Sequence, residues 1–345
     1  MFQKLFTLLR LLKDLRLLPD IHSMLASEQE TQQEHLRVLR ETSATLISDQ
    51  RDLRQNLQML QQAIAQVTGE RYCVAQALHE RMLQNLTDLK PVWPIRRQPS
   101  VMLSPDRTVE VPPLENRVRV QGIGAIEHPD DAAFVQSGFL DLRCVMNIAE
   151  VEGVDICGEI AVLDWGVGCA RMARHLPANL RGAFVGADVD PVNIEWSRNH
   201  VPFGQFVTID PYASTQFESK SFDLIYSHSV LTHLSEKDQD HWLQELSRLC
   251  RGLMILSVNG VVHVASIASW AKKADEFWMW VEHGFRDAGR PNPDIQDVTD
   301  SEYYRDVAHS PEYIRRHWSQ FVEVIDIIPG GFGHIHDAVV CRAKN

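Results

Sequence analysis

The chain has 345 residues, 44% of them hydrophobic, and a formal net charge of −12. That is enough apolar content for a sizeable core and enough length for two domains. Residues 1–90 hold 11 Lys/Arg against 11 Asp/Glu, so the acidic excess lies wholly beyond them. An acidic globular part argues against broad binding to nucleic acid, whose phosphates are met by Lys and Arg.

In chain order, the first element is an amphipathic helix over 1–19. "MFQKLFTLLRLLKDLRLL" has ten Leu or Phe among 18 residues and a net charge of +3, and Pro19 and Asp20 end it. Lys4, Arg10, Lys13, Asp14 and Arg16 interrupt it too often for a secretory signal. A helix this apolar needs cover, either an anionic membrane surface in the interfacial plane or another protein segment. Residues 20–90 carry no proline and a seven-residue register. Leu39, Leu46, Leu53, Leu60, Val67 and Val74 occupy one position; Leu36, Leu57, Ile64 and Leu78 occupy the other, broken by Ser43, Gln50 and Arg71. The pattern predicts a helical coiled coil and a homo-oligomer, with a hairpin packed on its own chain as the alternative.

Six prolines at 91, 94, 99, 105, 112 and 113 forbid helix and mark a linker, taken to run over 91–125. Periodic structure returns from 126 to 345. Helix is predicted at 132–151, strand at 159–166, helix at 169–177, strand at 182–190, helix at 191–199 and strands at 206–210 and 221–231. A helix at 238–250 and a strand at 252–260 follow, and 321–343 closes as two strands joined by a glycine-rich turn. The fold class is therefore α/β, a doubly wound, mostly parallel sheet with a C-terminal antiparallel hairpin, preceded by the coiled-coil region. No internal repeat is visible.

The chemistry concentrates in "VLDWGVGCAR" (162–171). As a dinucleotide turn it places Arg171 where the third glycine should stand. As D-x-G-x-G-x-G it starts at Asp164, keeps Gly166 and Gly168, and meets Ala170. Asp164, Asp188, Asp210 and Asp223 are expected at or near the carboxyl ends of strands, where open α/β sheets bind ligands. Asp188, 24 positions after Asp164, suits ribose hydroxyls. A carboxylate before the turn disfavours a pyrophosphate and favours a cationic ligand such as S-adenosylmethionine.

These segments, with "GADVDPVNIEWSRNH" and "FDLIYSHSVLTHLSEKDQDHWLQELSRL", resemble a class I S-adenosylmethionine-dependent methyltransferase. The likeness extends over roughly residues 130–345 and is strongest to bacterial methyltransferase-domain proteins that accompany surface-polysaccharide genes. It implies a Rossmann-like fold and S-adenosyl-L-methionine as cofactor. Asp164, Gly166 and Gly168 match the donor turn, and Asp188 the ribose-binding acid, with Val189 beside the adenine. Asp210 matches the residue that meets the adenine amino group, though "TIDPYAS" fits loosely. Ser227 and His228 lie on the strand whose end, by the same resemblance, faces the methionine part. Ala170 and "CRGL" (250–253), which stands for the family's K-P-G-G, are departures.

The remaining candidates concern the acceptor. If it is a hydroxyl, His309 and His228 are candidate bases, because imidazole titrates near neutrality; His233 reads as a capping or packing residue. "WAKKADEFWMW" (270–280), with Trp270, Phe277, Trp278 and Trp280, is packing or a substrate-facing insertion. "SEYYRDVAHSPEYIRRHW" (301–318) adds Tyr303, Tyr304 and Arg305 in a polar, aromatic loop, either part of an acceptor pocket or a lid. "HIHD" (334–337) is a lone H-x-H, so no metal is assigned. Cys73, Cys144, Cys157, Cys169, Cys250 and Cys341 show no C-x-x-C spacing, which points to a reducing cytoplasm. The reading is a cytoplasmic enzyme, peripheral at the inner face of the membrane, acting on a small-molecule or glycan acceptor such as a lipid-linked saccharide. The alternative is a non-catalytic coiled-coil scaffold with a degenerate domain. Light scattering should show an oligomer for the full chain and a monomer for a chain starting at residue 91. Two monomers would refute the coil as an oligomeriser.

Overall fold

The computed structural model describes residues 109–127, 129–156, 158–176, 180–266, 280, 282–287, 297–299, 303–333 and 335–344. The amphipathic helix, the coiled coil, the proline-rich stretch up to residue 108 and most of 270–280 lie outside them. The chain divides into two compact units, residues 1–90 with 265–283, and residues 91–264 with 284–345. The second unit carries the sheet and the glycine turn.

Helices α1 (Leu114–Gln121) and α2 (Ile123–Glu127) open it, so the linker expected through residue 125 gives way to helix directly after Pro113. Pro113 sits at the N-cap, where its missing N–H costs nothing. Helix α3 (Asp131–Val151) is capped by the Asp130 side chain, which accepts from Ala132 N. Its apolar stripe Phe134, Leu142, Val145, Met146 and Ala149 is buried in the sheet-side core. Then come β1 (Val162–Trp165), β2 (Phe184–Asp188), α4 (Pro191–His200), β3 (Gln205–Thr208) and β4 (Phe222–Ser227). Helix α5 (Glu236–Leu249), β5 (Cys250–Val258) and α6 (Val261–Ser266) follow, then β6 (Phe285–Asp287), β7 (Val307–His309), α7 (Pro311–His317), β8 (Val322–Phe332) and β9 (His336–Ala343).

Seven strands form one sheet in the order β3-β2-β1-β4-β5-β9-β8. The first five are parallel; β9 runs antiparallel to β5, and β8 antiparallel to β9. The expected doubly wound sheet and closing hairpin are thus both present. The order reverses between β1 and β4, which opens a crevice at their carboxyl ends. A separate two-stranded ribbon pairs β6 with β7.

Two expectations fail locally. The segment 169–177, expected as a helix, holds a single 3-10 turn among its described residues, Ala173–His175. Ala170 has φ 58°, a left-handed conformation in which a right-handed helix cannot start. Asp223 lies at the amino end of β4, not the carboxyl end, where it binds Ala161 N and Arg251. The "CRGL" segment is strand rather than turn. A Cβ at Gly252 would collide with the carbonyl oxygen of Asp223, so glycine there lets β5 approach β4 across a bulge.

Trp242 of α5 locks the helix to the sheet. It is fully buried, its ring lies 5.1 Å from that of Trp165 at the end of β1, and its indole N–H donates to the Tyr303 hydroxyl at 2.9 Å. Trp242→Ala should lower the unfolding free energy by about 3–5 kcal/mol. Urea unfolding with a loss below about 1 kcal/mol would show that this contact does not hold the layers together.

Candidate functional site

The crevice over β1, β2 and β4 is lined by the glycine turn, the ends of β2 and β3, the 228–234 segment, Arg119 and Val120 of α1, and Tyr303 and Tyr304.

Its floor is the turn after β1. Gly166 has φ 86° and Gly168 φ 53°, conformations that side chains disfavour. A Cβ at Gly166 would run into Val230, and one at Gly168 would sit 2.7 Å from Val120 Cγ2. Both glycines are therefore required by backbone shape and by close approach. The turn is held from β2: Gly168 N–H donates to Asp188 Oδ2 at 2.7 Å, and Asp190 N–H donates to Asp188 Oδ1 at 2.9 Å. Each carboxylate oxygen retains acceptor capacity toward the crevice. Burial pushes the Asp188 carboxyl up to about 6, although these N–H donors pull it down.

Asp190 caps α4, accepting from Val192 N, and takes a two-pronged ion pair from Arg119 at 2.6 and 3.0 Å. Arg119 also reaches Asp297 at 3.1 Å. Asn193, on the first turns of α4, faces the crevice and accepts from Asn116 Nδ2 of α1 at 2.9 Å. Helix α1 is thus tied over the crevice by two polar contacts to α4. Trp165 and Asn193 lie within the segments singled out in the sequence and Ile209 beside Asp210, but none of the three is marked there as a site residue, and Arg119 is legible only once α1 is known to return to α4.

Gly166, Gly168, Asp188, Val189 and His228 meet at the crevice as expected. Asp164, Asp210 and Ser227 do not line it. Asp164 is buried beneath the turn beside Tyr226, and burial pushes its carboxyl up to about 8. The Ser227 side chain is fully buried. Asp210 is exposed and bends back to accept from Tyr212 N at 2.8 Å, while its neighbour Ile209 supplies the crevice wall.

Both expected bases need correction. His309 is fully buried at the end of β7, away from the crevice, with Nε2 2.8 Å from Gln239 Oε1; burial lowers it to about 3. His228 does face the crevice, but its nitrogens are committed. Arg171 can only donate, so its guanidinium, 3.1 Å from Nδ1, makes that nitrogen an acceptor. The ring proton then sits on Nε2, 3.5 Å from Asp141 Oδ2. Asp141 also pairs with Arg171 at 2.7 Å. Burial, with Arg171 adding, holds His228 well below the ordinary imidazole range. It is a fixed neutral wall rather than a proton acceptor. Arg171, misplaced for a dinucleotide turn, finds its role here.

Among the described residues no helix is long and apolar enough to cross a membrane.

Residues 162–252 match the family model described as a methyltransferase domain. Solved structures with a similar chain path include a TehB-like S-adenosylmethionine-dependent methyltransferase of Corynebacterium glutamicum, 18% identical over 67% of this chain and 98% of that one, TM-score 0.38. Another, of Clostridium acetobutylicum, is 12% identical over 67% and 99%, TM-score 0.44. The 1,6-didemethyltoxoflavin N1-methyltransferase of Burkholderia thailandensis, solved with S-adenosylhomocysteine, is 14% identical over 70% and 95%, TM-score 0.40. The matched stretch carries the glycine turn, Asp188 and the segment after β4, and S-adenosylmethionine is the cofactor that such a domain takes.

The residues present suit that cofactor: a carboxylate for the ribose, the apolar Val189 and Ile209, and glycines that admit close approach. A carboxylate that accepts from ribose hydroxyls does so best in its ionised form, so a ribose held by Asp188 would link binding to loss of its proton. S-adenosylhomocysteine affinity should therefore rise roughly tenfold from pH 5 to pH 7 as Asp188 ionises. Asp164, held near 8, stays protonated through that window. Calorimetry at both pH values checks this, and a flat profile for the wild type would contradict it; Asp188→Asn should be flat.

Proposed function

We propose that the chain transfers a methyl group from S-adenosylmethionine to a hydroxyl of a small molecule or glycan, including a lipid-linked saccharide of surface-polysaccharide synthesis. The observation that carries the donor half is the Asp188 carboxylate, which closes the glycine turn and faces the crevice at once. Asp188 takes the ribose hydroxyls. Gly166 and Gly168 admit the donor to the backbone, and Val189 and Ile209 flank the adenine. The 228–230 segment meets the methionine end. Bound there, the donor supplies an activated methyl on sulfur, so this chain's work is positioning and exclusion of water.

The acceptor half rests on Tyr303 and Tyr304, whose aromatic side chains line the same crevice, the Tyr303 hydroxyl being held by Trp242. Such walls suit a neutral, hydroxyl-bearing ligand, and the net charge of −12 disfavours a nucleic acid. Residues 1–90 are proposed as an oligomerising arm that holds the enzyme at the inner membrane face or on a membrane-bound partner, on the strength of the heptad register and the apolar, basic first helix.

Asp188→Ala should weaken S-adenosylhomocysteine binding by about 1.5–3 kcal/mol, the range for hydrogen bonds to a charged group, or roughly 10- to 150-fold. Titration calorimetry on the full chain measures it. No binding by the wild type, or equal binding by the variant, would overturn the donor assignment.

A further inference from the structure

Two histidines stand on the segment that follows β4, and the structure gives them opposite tautomers. His228 keeps its proton on Nε2, because Arg171 donates to Nδ1. His233 is reversed. Its Nδ1 lies 3.0 Å from the carbonyl oxygen of Arg305, which can only accept, so Nδ1 carries the proton and Nε2 presents a lone pair. Nε2 lies 3.4 Å from Ser229 Oγ, a hydroxyl that also meets Thr232 Oγ1 at 3.2 Å and can accept from that threonine while donating to the ring, and Ser229 lines the crevice. A proton on Nδ1, fixed by a carbonyl, with Nε2 turned toward a hydroxyl, is the arrangement of a base oriented by its second partner.

The surroundings hold this geometry firmly. Arg305 N–H donates to the carbonyl of His233 at 2.6 Å, and Leu234 and Tyr304 form an antiparallel bridge, so the 303–305 segment clamps the ring from both ends. The Arg305 side chain is itself anchored by Asp287 at 3.0 Å. Tyr304 stacks on His233 with ring centroids 4.6 Å apart. Ser229 has φ 59°, a strained conformation for a residue with a side chain. Its backbone N–H donates to Ser257 Oγ at 2.6 Å, which helps to keep it there. Strain over-determined by neighbours and placed beside a ligand crevice points to a function for the Ser229 hydroxyl.

We propose that Ser229 and His233 are the proton-accepting pair of the transfer, and that the acceptor is therefore a hydroxyl. This deepens the methyltransferase reading and rests on it. The acceptor O–H proton passes to Ser229 Oγ as the Ser229 proton passes to His233 Nε2. The acceptor oxygen forms the new bond to the methyl carbon, the S–CH3 bond breaks, and its electron pair stays on sulfur. The products are the methyl ether, neutral S-adenosylhomocysteine and an imidazolium whose Nδ1–H remains on the Arg305 carbonyl. A neutral amine attacks through a lone pair it already has. A hydroxyl gains more from a base in the transition state, which is why this pair selects the hydroxyl class. Ser229 touches the acceptor, and His233 acts through it.

The test is nitrogen NMR of the full chain labelled in histidine, with S-adenosylhomocysteine bound. The expected result is His233 protonated at Nδ1 and His228 protonated at Nε2, with Ser229→Ala moving the His233 Nε2 resonance and leaving its tautomer unchanged. His233 protonated at Nε2, or a Nε2 resonance indifferent to Ser229→Ala, would overturn the pair. Calorimetry on the same wild-type sample keeps the two claims apart. Failure to bind S-adenosylhomocysteine overturns the donor reading, and with it this inference. Binding with the reversed tautomer overturns the inference alone.

Discussion

The hydrogen bond from Gly168 N–H to Asp188 Oδ2 is the constraint on which the site depends. It joins the turn after β1 to the end of β2, strands that are also paired through the sheet. Because the carboxylate braces the turn and faces the crevice, one residue sets both the shape of the floor and the acceptor chemistry presented to a ligand. The glycines follow from it. With the turn pulled onto β2, Gly166 lies against Val230 and Gly168 against Val120, and no side chain fits at either place. The left-handed Ala170 follows too, since the chain must leave the turn before α-helix can form, and only a 3-10 turn does.

This arrangement is costly to the fold when no ligand is bound. Asp164 and Asp188 are both held above the usual carboxylate range, chiefly by burial. For each, the protonated form is favoured in the folded chain. The stabilisation it brings is complete below the unfolded carboxyl value and is lost as pH rises through about 6 for Asp188 and about 8 for Asp164. Near neutrality the two carboxyls therefore weaken the ligand-free fold, and a ligand that satisfies Asp188 offsets part of that cost. In the proposed donor site, cofactor binding and folding would be linked through the same carboxylate.

Much of the α/β unit is legible in the sequence because its signals are local. Alternation of apolar strands with helices and the glycine turn both lie within short windows. The points where sequence and structure part share a different cause. His309 reads as a loop residue because nothing in its own segment reveals that Gln239, 70 positions away, buries against it. Asp210 rather than Ile209 attracts attention because side-chain direction at a strand end turns on a single residue of register. Spacing alone cannot rank His228 against His233, whose tautomers are set by Arg171 and Arg305, 57 and 72 positions distant. Arg119 hides inside a stretch that reads as linker, although the two prolines before it serve as a helix start. Local patterns disclose the fold and the glycine turn; the proton positions on the two histidines come from contacts that only the folded chain makes.

The most direct measurement is a crystal structure of the full chain with S-adenosylhomocysteine. The expected result places the ribose hydroxyls on the Asp188 carboxylate, the adenine between Val189 and Ile209, and the sulfur directed toward Ser229 at the end of β4. A nucleoside bound elsewhere, or one whose ribose makes no contact with Asp188, would contradict it.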